Sequence, residues 1–286
     1  MQLEYTSEFS EALRKLHDGE SMFLTGKAGT GKSTLIREFI GTATRNVSVT
    51  AATGIAALNV NGKTVHSFLG LRPSTTIREI TDGSFQPRRD RLVEIKRTAT
   101  LIIDEASMIR ADLFDNIAAV LKIHGPQPGT KFGGIQIVLV GDLYQLPPVV
   151  TPAEEEYFKT EYKNKFFFSA HEYSRSEIPP VELTKVFRQA GDHELTELLN
   201  AVRDGLATAE VQDAINRQVR EGFEPPNDEF WLTLTTRNRI AAARNSERLA
   251  RLPGRPLGAL RSSTAARQTM STRTTRSSSI KPALRS

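Results

Sequence analysis

The chain has 286 residues, 38% of them hydrophobic and 25% charged, which is enough apolar material for one large domain or two modest ones. It has no cysteine, so disulfides and thiolate metal sites are excluded. The net charge of +5 is no argument for a DNA-binding body: Arg261, Arg267, Arg273, Arg276, Lys281 and Arg285 lie in an acid-free tail, and removing these six leaves residues 1–260 at −1. In chain order, Phe9, Ala12, Leu13 and Leu16 have helical spacing over residues 7–18. A strand is predicted at Met22-Phe23-Leu24-Thr25, ending at Gly26, and a helix over Thr34–Ile40. Further strands are predicted at Val47-Ser48-Val49-Thr50, at Leu101-Ile102-Ile103 ending at Asp104, and at Ile135–Val140 ending at Gly141-Asp142.

Apolar strands alternating with helical stretches predict an α/β fold, a parallel sheet with helices on both faces, with ligands beyond the carboxyl ends of its strands. After a polar break near Ser174–Pro180, a strand at Val181-Glu182-Leu183 and a helix around Glu194–Arg203 are expected. A strand at Trp231-Leu232-Thr233-Leu234 and a helix from Asn238 to about Leu252 then complete the start of a second α/β domain. From Arg261 onward, 12 of 26 residues are Ser or Thr and none is aromatic, a composition that cannot bury enough surface to fold. The expected organisation is a first domain at 1–178, a partial second at 179–260 and a disordered tail at 261–286. With no apolar leader at the N-terminus and no run near the roughly 18 apolar residues a membrane span needs, a cytoplasmic chain without a membrane partner is expected.

The chemistry concentrates in three places. Gly26-Lys27-Ala28-Gly29-Thr30-Gly31-Lys32-Ser33, followed by Thr34, is a complete Walker A pattern between strand and helix. Its glycines let backbone N–H groups turn inward around phosphates, and the helix offers its positive end. Lys32 would carry charge to the β- and γ-phosphates of ATP, and the Ser33 hydroxyl would ligate Mg2+. Asp104-Glu105 has the form of a Walker B element, with Asp104 as metal ligand and Glu105 as the general base. Gln145, in Gly141-Asp142-Leu143-Tyr144-Gln145-Leu146-Pro147-Pro148, can reach the γ-phosphate and the lytic water, although a Pro-terminated surface turn has the same pattern.

The ordered series GKAGTGKS, VTAATGIAALNVNGKTVHSFLGL (49–71), LIIDEAS, VLVGDLYQLPPV and LTKVFRQ resembles the superfamily-one helicases, above all the Pif-one and RecD group, over residues 6–252. The resemblance implies two RecA-like domains that translocate 5′ to 3′ along single-stranded DNA using ATP, in repair, recombination or replication support. It implies that Arg188 reaches the γ-phosphate, and that Thr53, Gly54, His66 and Ser67 touch a DNA strand. Phe68 reads either as a base-stacking platform or as core, and His66 either as a contact or as a structural histidine. The chain departs from the family at Ala52, where proline is common, and lacks an adenine-reading glutamine near Phe9. It also lacks the late His-Lys-x-Gln-Gly and Ser-Arg motifs. The missing late motifs and the abrupt Ser/Thr/Arg composition predict a truncated or frame-shifted product whose last residues are out-of-frame translation, which leaves open a non-catalytic ATP-binding fragment as the alternative to a motor; a monomer is expected.

Overall fold

In the computed structural model, residues 6–187, 193–226, 229, 231–252, 257–258 and 279–280 are described. The chain divides into two units, Met1–Arg203 and Asp204–Ser286.

The first unit opens with α1 (Ser7–His17), capped by the Thr6 hydroxyl, which accepts from the Phe9 N–H at 3.1 Å. Then come β1 (Met22–Gly26), α2 (Lys32–Thr42), β2 (Val47–Ala51), α3 (Gly54–Asn59), β3 (Lys63–Thr64), α4 (Val65–Leu69), α5 (Ile77–Thr81) and α6 (Arg89–Arg97). They are followed by β4 (Thr100–Asp104), α7 (Ala111–His124), β5 (Gln136–Val140), α8 (Glu155–Tyr162), β6 (Pro180–Leu183) and α9 (His193–Arg203). The six strands form one parallel sheet in the order β3-β2-β4-β5-β1-β6. The predicted parallel α/β sheet is therefore present, with each predicted strand of the first domain within a residue or two of its expected bounds.

Alternation along the strands divides the core between two faces. Met22, Leu24, Ile102, Val138 and Val140 point to one face and pack with Phe9, Leu16, Leu35 and Phe39 of α1 and α2. Phe23, Leu101, Ile103, Ile137 and Leu139 point to the other, beneath α4, α6 and α7. There α7 buries Phe114, Ile117, Val120 and Leu121, and Phe114 meets Phe132, Phe167 and Tyr173 at ring separations of 6.0, 6.2 and 5.9 Å. The buried Asp115 of the same helix accepts from the N–H groups of His171 (3.3 Å) and Glu172 (2.9 Å), which ties the 170s loop to α7.

Two expectations are corrected. Val181–Leu183 does not open a second domain: as β6 it lies parallel beside β1, with Leu183 opposite Gly26, and completes the first sheet. No strand forms at Trp231–Leu234, where Trp231, Leu232 and Leu234 are largely exposed and no strand among the described residues pairs with them. A β-prone run becomes a strand only when a neighbour supplies the ladder. The second unit has α10 (Ala209–Asn216) and α11 (Asn238–Arg251), close to the expected helix. Phe223 packs tilted against Trp231 with ring centroids 5.1 Å apart, and Arg244 joins Glu224 (3.0 Å) to Glu247 (3.2 Å). Its last described strands, β7 (Leu257–Gly258) and β8 (Ser279–Ile280), pair antiparallel; the rest of the expected tail at 261–286 lies outside the described residues.

Because Phe114 is fully buried under three aromatic rings, Phe114→Ala is expected to destabilise the first unit by about 3–5 kcal/mol in denaturant unfolding. A loss below about 1 kcal/mol would show that this packing is not part of the core.

Candidate functional site

The strand order makes β4, β5 and β1 consecutive, so Asp104, Asp142 and the Gly26 turn emerge side by side at the carboxyl edge of the sheet. At Gly26 the turn needs glycine for two reasons. Its φ is +142°, and a Cβ there would lie 2.4 Å from the Leu183 carbonyl of β6 and 2.9 Å from the Thr30 hydroxyl. Thr30 is buried and its hydroxyl donates to the Lys27 carbonyl at 2.9 Å, closing the loop on itself. Gly31 enters α2 in the left-handed conformation (φ +92°) with no side chain capping the helix, so the first N–H groups of α2 face outward at its positive end. Lys27, Ala28, Gly29, Ser33 and Thr34 complete the same loop and first turn. The Lys32 ammonium lies over that loop, donating to the carbonyls of Gly26 (2.6 Å) and Lys27 (3.0 Å).

Lys32, Asp104, Glu105 and Asp142 interact electrostatically. Burial pushes the Lys32 ammonium below its usual pKa, against the attraction of Asp142, Glu105 and Asp104. Burial raises the Asp104 carboxyl above its ordinary value, opposed by its bond from the Glu105 N–H (3.0 Å) and by Lys32. Glu105 is raised as well, by burial first and then by the neighbouring Asp104. Its backbone is left-handed, with φ +53° and ψ +41°, a conformation that costs a non-glycine residue on the order of 1 kcal/mol or more and that clusters at functional sites. A half-buried carboxylate with an elevated pKa, beside a lysine, can take a proton from water.

The donor set suits a hard divalent cation: Asp104 offers carboxylate oxygen, Ser33 a hydroxyl at the start of α2, and burial already disfavours the bare negative charge on Asp104. Among the described residues Asp104 makes no ion pair that would compete. Gln145 is exposed, with Nε2 donating to Asp142 Oδ2 at 3.2 Å. Arg188 lies outside the described residues. Its neighbour Phe187 lies across the loop, its N–H donating to the Gly29 carbonyl at 3.0 Å and its ring 3.8 Å from where a Gly31 Cβ would be.

The candidate DNA residues follow adjacent strands: Thr53 and Gly54 come after β2, and His66 and Ser67 after β3. Thr53 caps α3, its hydroxyl accepting from the Ala56 N–H at 3.2 Å, and Thr64 caps α4 by accepting from Ser67. Around Gly54 there is open space, and Ile55 and Leu58 of α3 are exposed. The Ala52 N–H donates to the Asp104 carbonyl at 3.1 Å, a direct backbone link between this region and the metal-ligand candidate. His66 is partly buried, and burial holds its imidazole below its usual pKa, with Asp112 opposing. Phe68 is corrected: at 1% exposed it packs with Val65, Leu69 and Ile103 and presents no face on which a base could stack.

One residue in this site escaped the sequence. Arg203, at the end of α9, donates to Asp142 Oδ2 at 2.5 Å and lies 4.4 Å from the Tyr144 ring centroid. An arginine in the last turn of an amphipathic helix reads as a complement to the helix dipole, and nothing in a separation of 61 residues signals the pairing.

A PIF1-like helicase profile matches residues 5–213. The chain is 34% identical over 261 residues to the ATP-dependent DNA helicase PIF1 of Saccharomyces cerevisiae, covering 87% of this chain and 28% of the yeast protein. It is 35% identical over 256 residues to human PIF1, covering 88% of this chain and 38% of the human protein. A Bacteroides Pif1 helicase solved with ADP-AlF3 and single-stranded DNA superposes with a TM-score of 0.79 at 31% identity, over 89% of this chain and 59% of that one. The chain thus spans well under half the length of these curated relatives.

As the candidate general base, Glu105 carries a testable role: Glu105→Gln is expected to lower ATP turnover by about two to four orders of magnitude while leaving ATP affinity and melting temperature near wild type. Turnover within about threefold of wild type would remove Glu105 from that role.

Proposed function

This chain belongs to the PIF1-like helicase family, and from that premise we propose that it is the ATP-hydrolysing motor part of a DNA helicase that moves along single-stranded DNA. The observation that carries the reading is the meeting of Lys32, Asp104, Glu105 and Asp142 at three adjacent strand ends, around an uncapped helix start.

In this reading the triphosphate lies along the N–H groups of residues 29–34, and Lys32 exchanges its loop carbonyls for β- and γ-phosphate oxygens. Ser33 and Asp104 would hold Mg2+, which supplies charge neutralisation on the phosphate oxygens. Gln145 and Glu105 orient a water in line with the γ-phosphorus. As the water oxygen bonds to phosphorus, Glu105 accepts its proton and the bond to the β,γ-bridging oxygen breaks, leaving ADP and phosphate. The described residues leave Arg188 to the family resemblance, which assigns it to the charge that develops on the γ-phosphoryl group.

The single strand would run past Thr53, Gly54, His66 and Ser67. The hydrogen bond from Ala52 to Asp104 gives the strand a short mechanical route to the nucleotide. Movement in the 5′ to 3′ direction, a second RecA-like domain beginning after Arg203, and a role in DNA repair and recombination belong to the same proposal. Relatives described as ATP-dependent DNA helicases, and a Pif1 structure that holds single-stranded DNA, support it.

The test is ATP turnover with and without oligo(dT), alongside translocation on strands blocked at either end. Stimulation of about tenfold or more, with displacement of a 3′-end block alone, is the expected result. Nucleotide binding without any stimulated turnover would reduce the chain to an ATP-binding portion of a helicase. Displacement of a 5′-end block would reverse the polarity.

A further inference from the structure

Asp142 is 2% exposed, yet it carries a full carboxylate next to Lys32 and Glu105. Three donors hold it. Its Oδ1 accepts from the Tyr144 N–H at 3.1 Å, and its Oδ2 accepts both from Arg203 Nη1 at 2.5 Å and from Gln145 Nε2 at 3.2 Å. A carboxylate cannot donate, so this contact sets which way the Gln145 amide faces: nitrogen toward Asp142, Oε1 away from it. The atom left outward is the one that can accept a hydrogen bond from the attacking water, whose proton goes to Glu105.

Arg203 is the cation in this arrangement. Its side chain is 16% exposed, and its guanidinium lies 4.4 Å from the Tyr144 ring centroid while it bonds Asp142. The same turn is pressed from below, because a Cβ on Gly141 would lie 3.1 Å from the N–H nitrogens of both Ala106 and Ser107, directly after Glu105. The Gly141–Gln145 turn is therefore clamped between the backbone that follows the general-base candidate and the last residue of α9. Without the guanidinium, a nearly buried carboxylate would keep only its turn N–H and an amide.

We propose that Arg203 is a positioning residue for ATP hydrolysis: it fixes the Asp142 carboxylate, through it the orientation of Gln145, and so ties helix α9 to the nucleotide site. This rests on the motor reading above. Arg203 touches neither substrate nor water in this account; it acts through Asp142. A shift of α9 would reorient Gln145 through the same ion pair.

The experiment compares Arg203→Gln and Arg203→Lys in the full chain by two readouts. The first is hydrogen exchange, which needs no turnover. The amides of Tyr144 and Gln145 are expected to exchange at least about tenfold faster in Arg203→Gln, with those of β5 unchanged and Arg203→Lys in between. Unchanged exchange at these two amides overturns the proposal, and general acceleration across β5 overturns it in favour of a plain stability role. The second is kinetic. Arg203→Gln is expected to lower kcat about 10–100-fold with the KM for ATP within about threefold, and to cost less than about threefold in a Gln145→Ala background. A cost that stays the same without Gln145 overturns the proposal. A wild-type chain with no turnover overturns the motor reading, and Arg203's part in hydrolysis with it, while the exchange readout separately decides the clamp. Should Arg203→Gln fail to fold, the Arg203→Lys pair of measurements carries the same decision.

Discussion

Everything in the site depends on mutual compensation among five charges that are partly or, for Asp142, almost wholly withdrawn from bulk water. Lys32, Asp104 with Glu105, Asp142 and Arg203 come from four separate stretches of chain and the carboxyl edge of one sheet collects them. Alone, each would resist burial by several kcal/mol or change its protonation state. Together, the two cations and three carboxylates come close to balance, with one negative charge in excess and two carboxyls raised above their ordinary values. In the proposed reading that excess would be neutralised by Mg2+ binding together with a polyphosphate.

The sheet is what makes the arrangement rigid. Strands buried on both faces fix their register through two separate apolar layers, so a slip of one residue would exchange the layers and is strongly disfavoured. The left-handed backbone at Glu105 and the missing Cβ at Gly141 are local costs borne by the surrounding packing. They set the base candidate against the turn that holds Gln145, with Gly141 packed on the backbone of Ala106 and Ser107.

Much of this was legible in the amino-acid sequence, and the divisions follow physical lines. Strands β1, β4 and β5 were visible because a strand buried on both faces is almost wholly apolar, β2 by its β-branched Val47, Val49 and Thr50, and the Gly26–Ser33 turn because few residue types can take its backbone. β6 was found as a strand but placed in the wrong sheet, since Val181-Glu182-Leu183 carries no mark of its partner; only the fit of Leu183 against a glycine does. Trp231–Leu234 had strand composition without a neighbour. Phe68 joined the core because Val65 and Leu69, three before and one after it, already place that face of α4 inward. The pairing of Arg203 with Asp142 is a long-range contact between residues each with an ordinary local explanation, and no spacing could announce it.

The central claim is that these strand ends form one nucleotide site whose anchor is Lys32. Calorimetric titration of ATP and Mg2+ into the chain and into Lys32→Ala tests it most directly. The account predicts one site per chain, weakened about 10–100-fold by the substitution, the scale of losing a charge-assisted bond to phosphate. Equal affinities in the two proteins, or no binding to either, would contradict it.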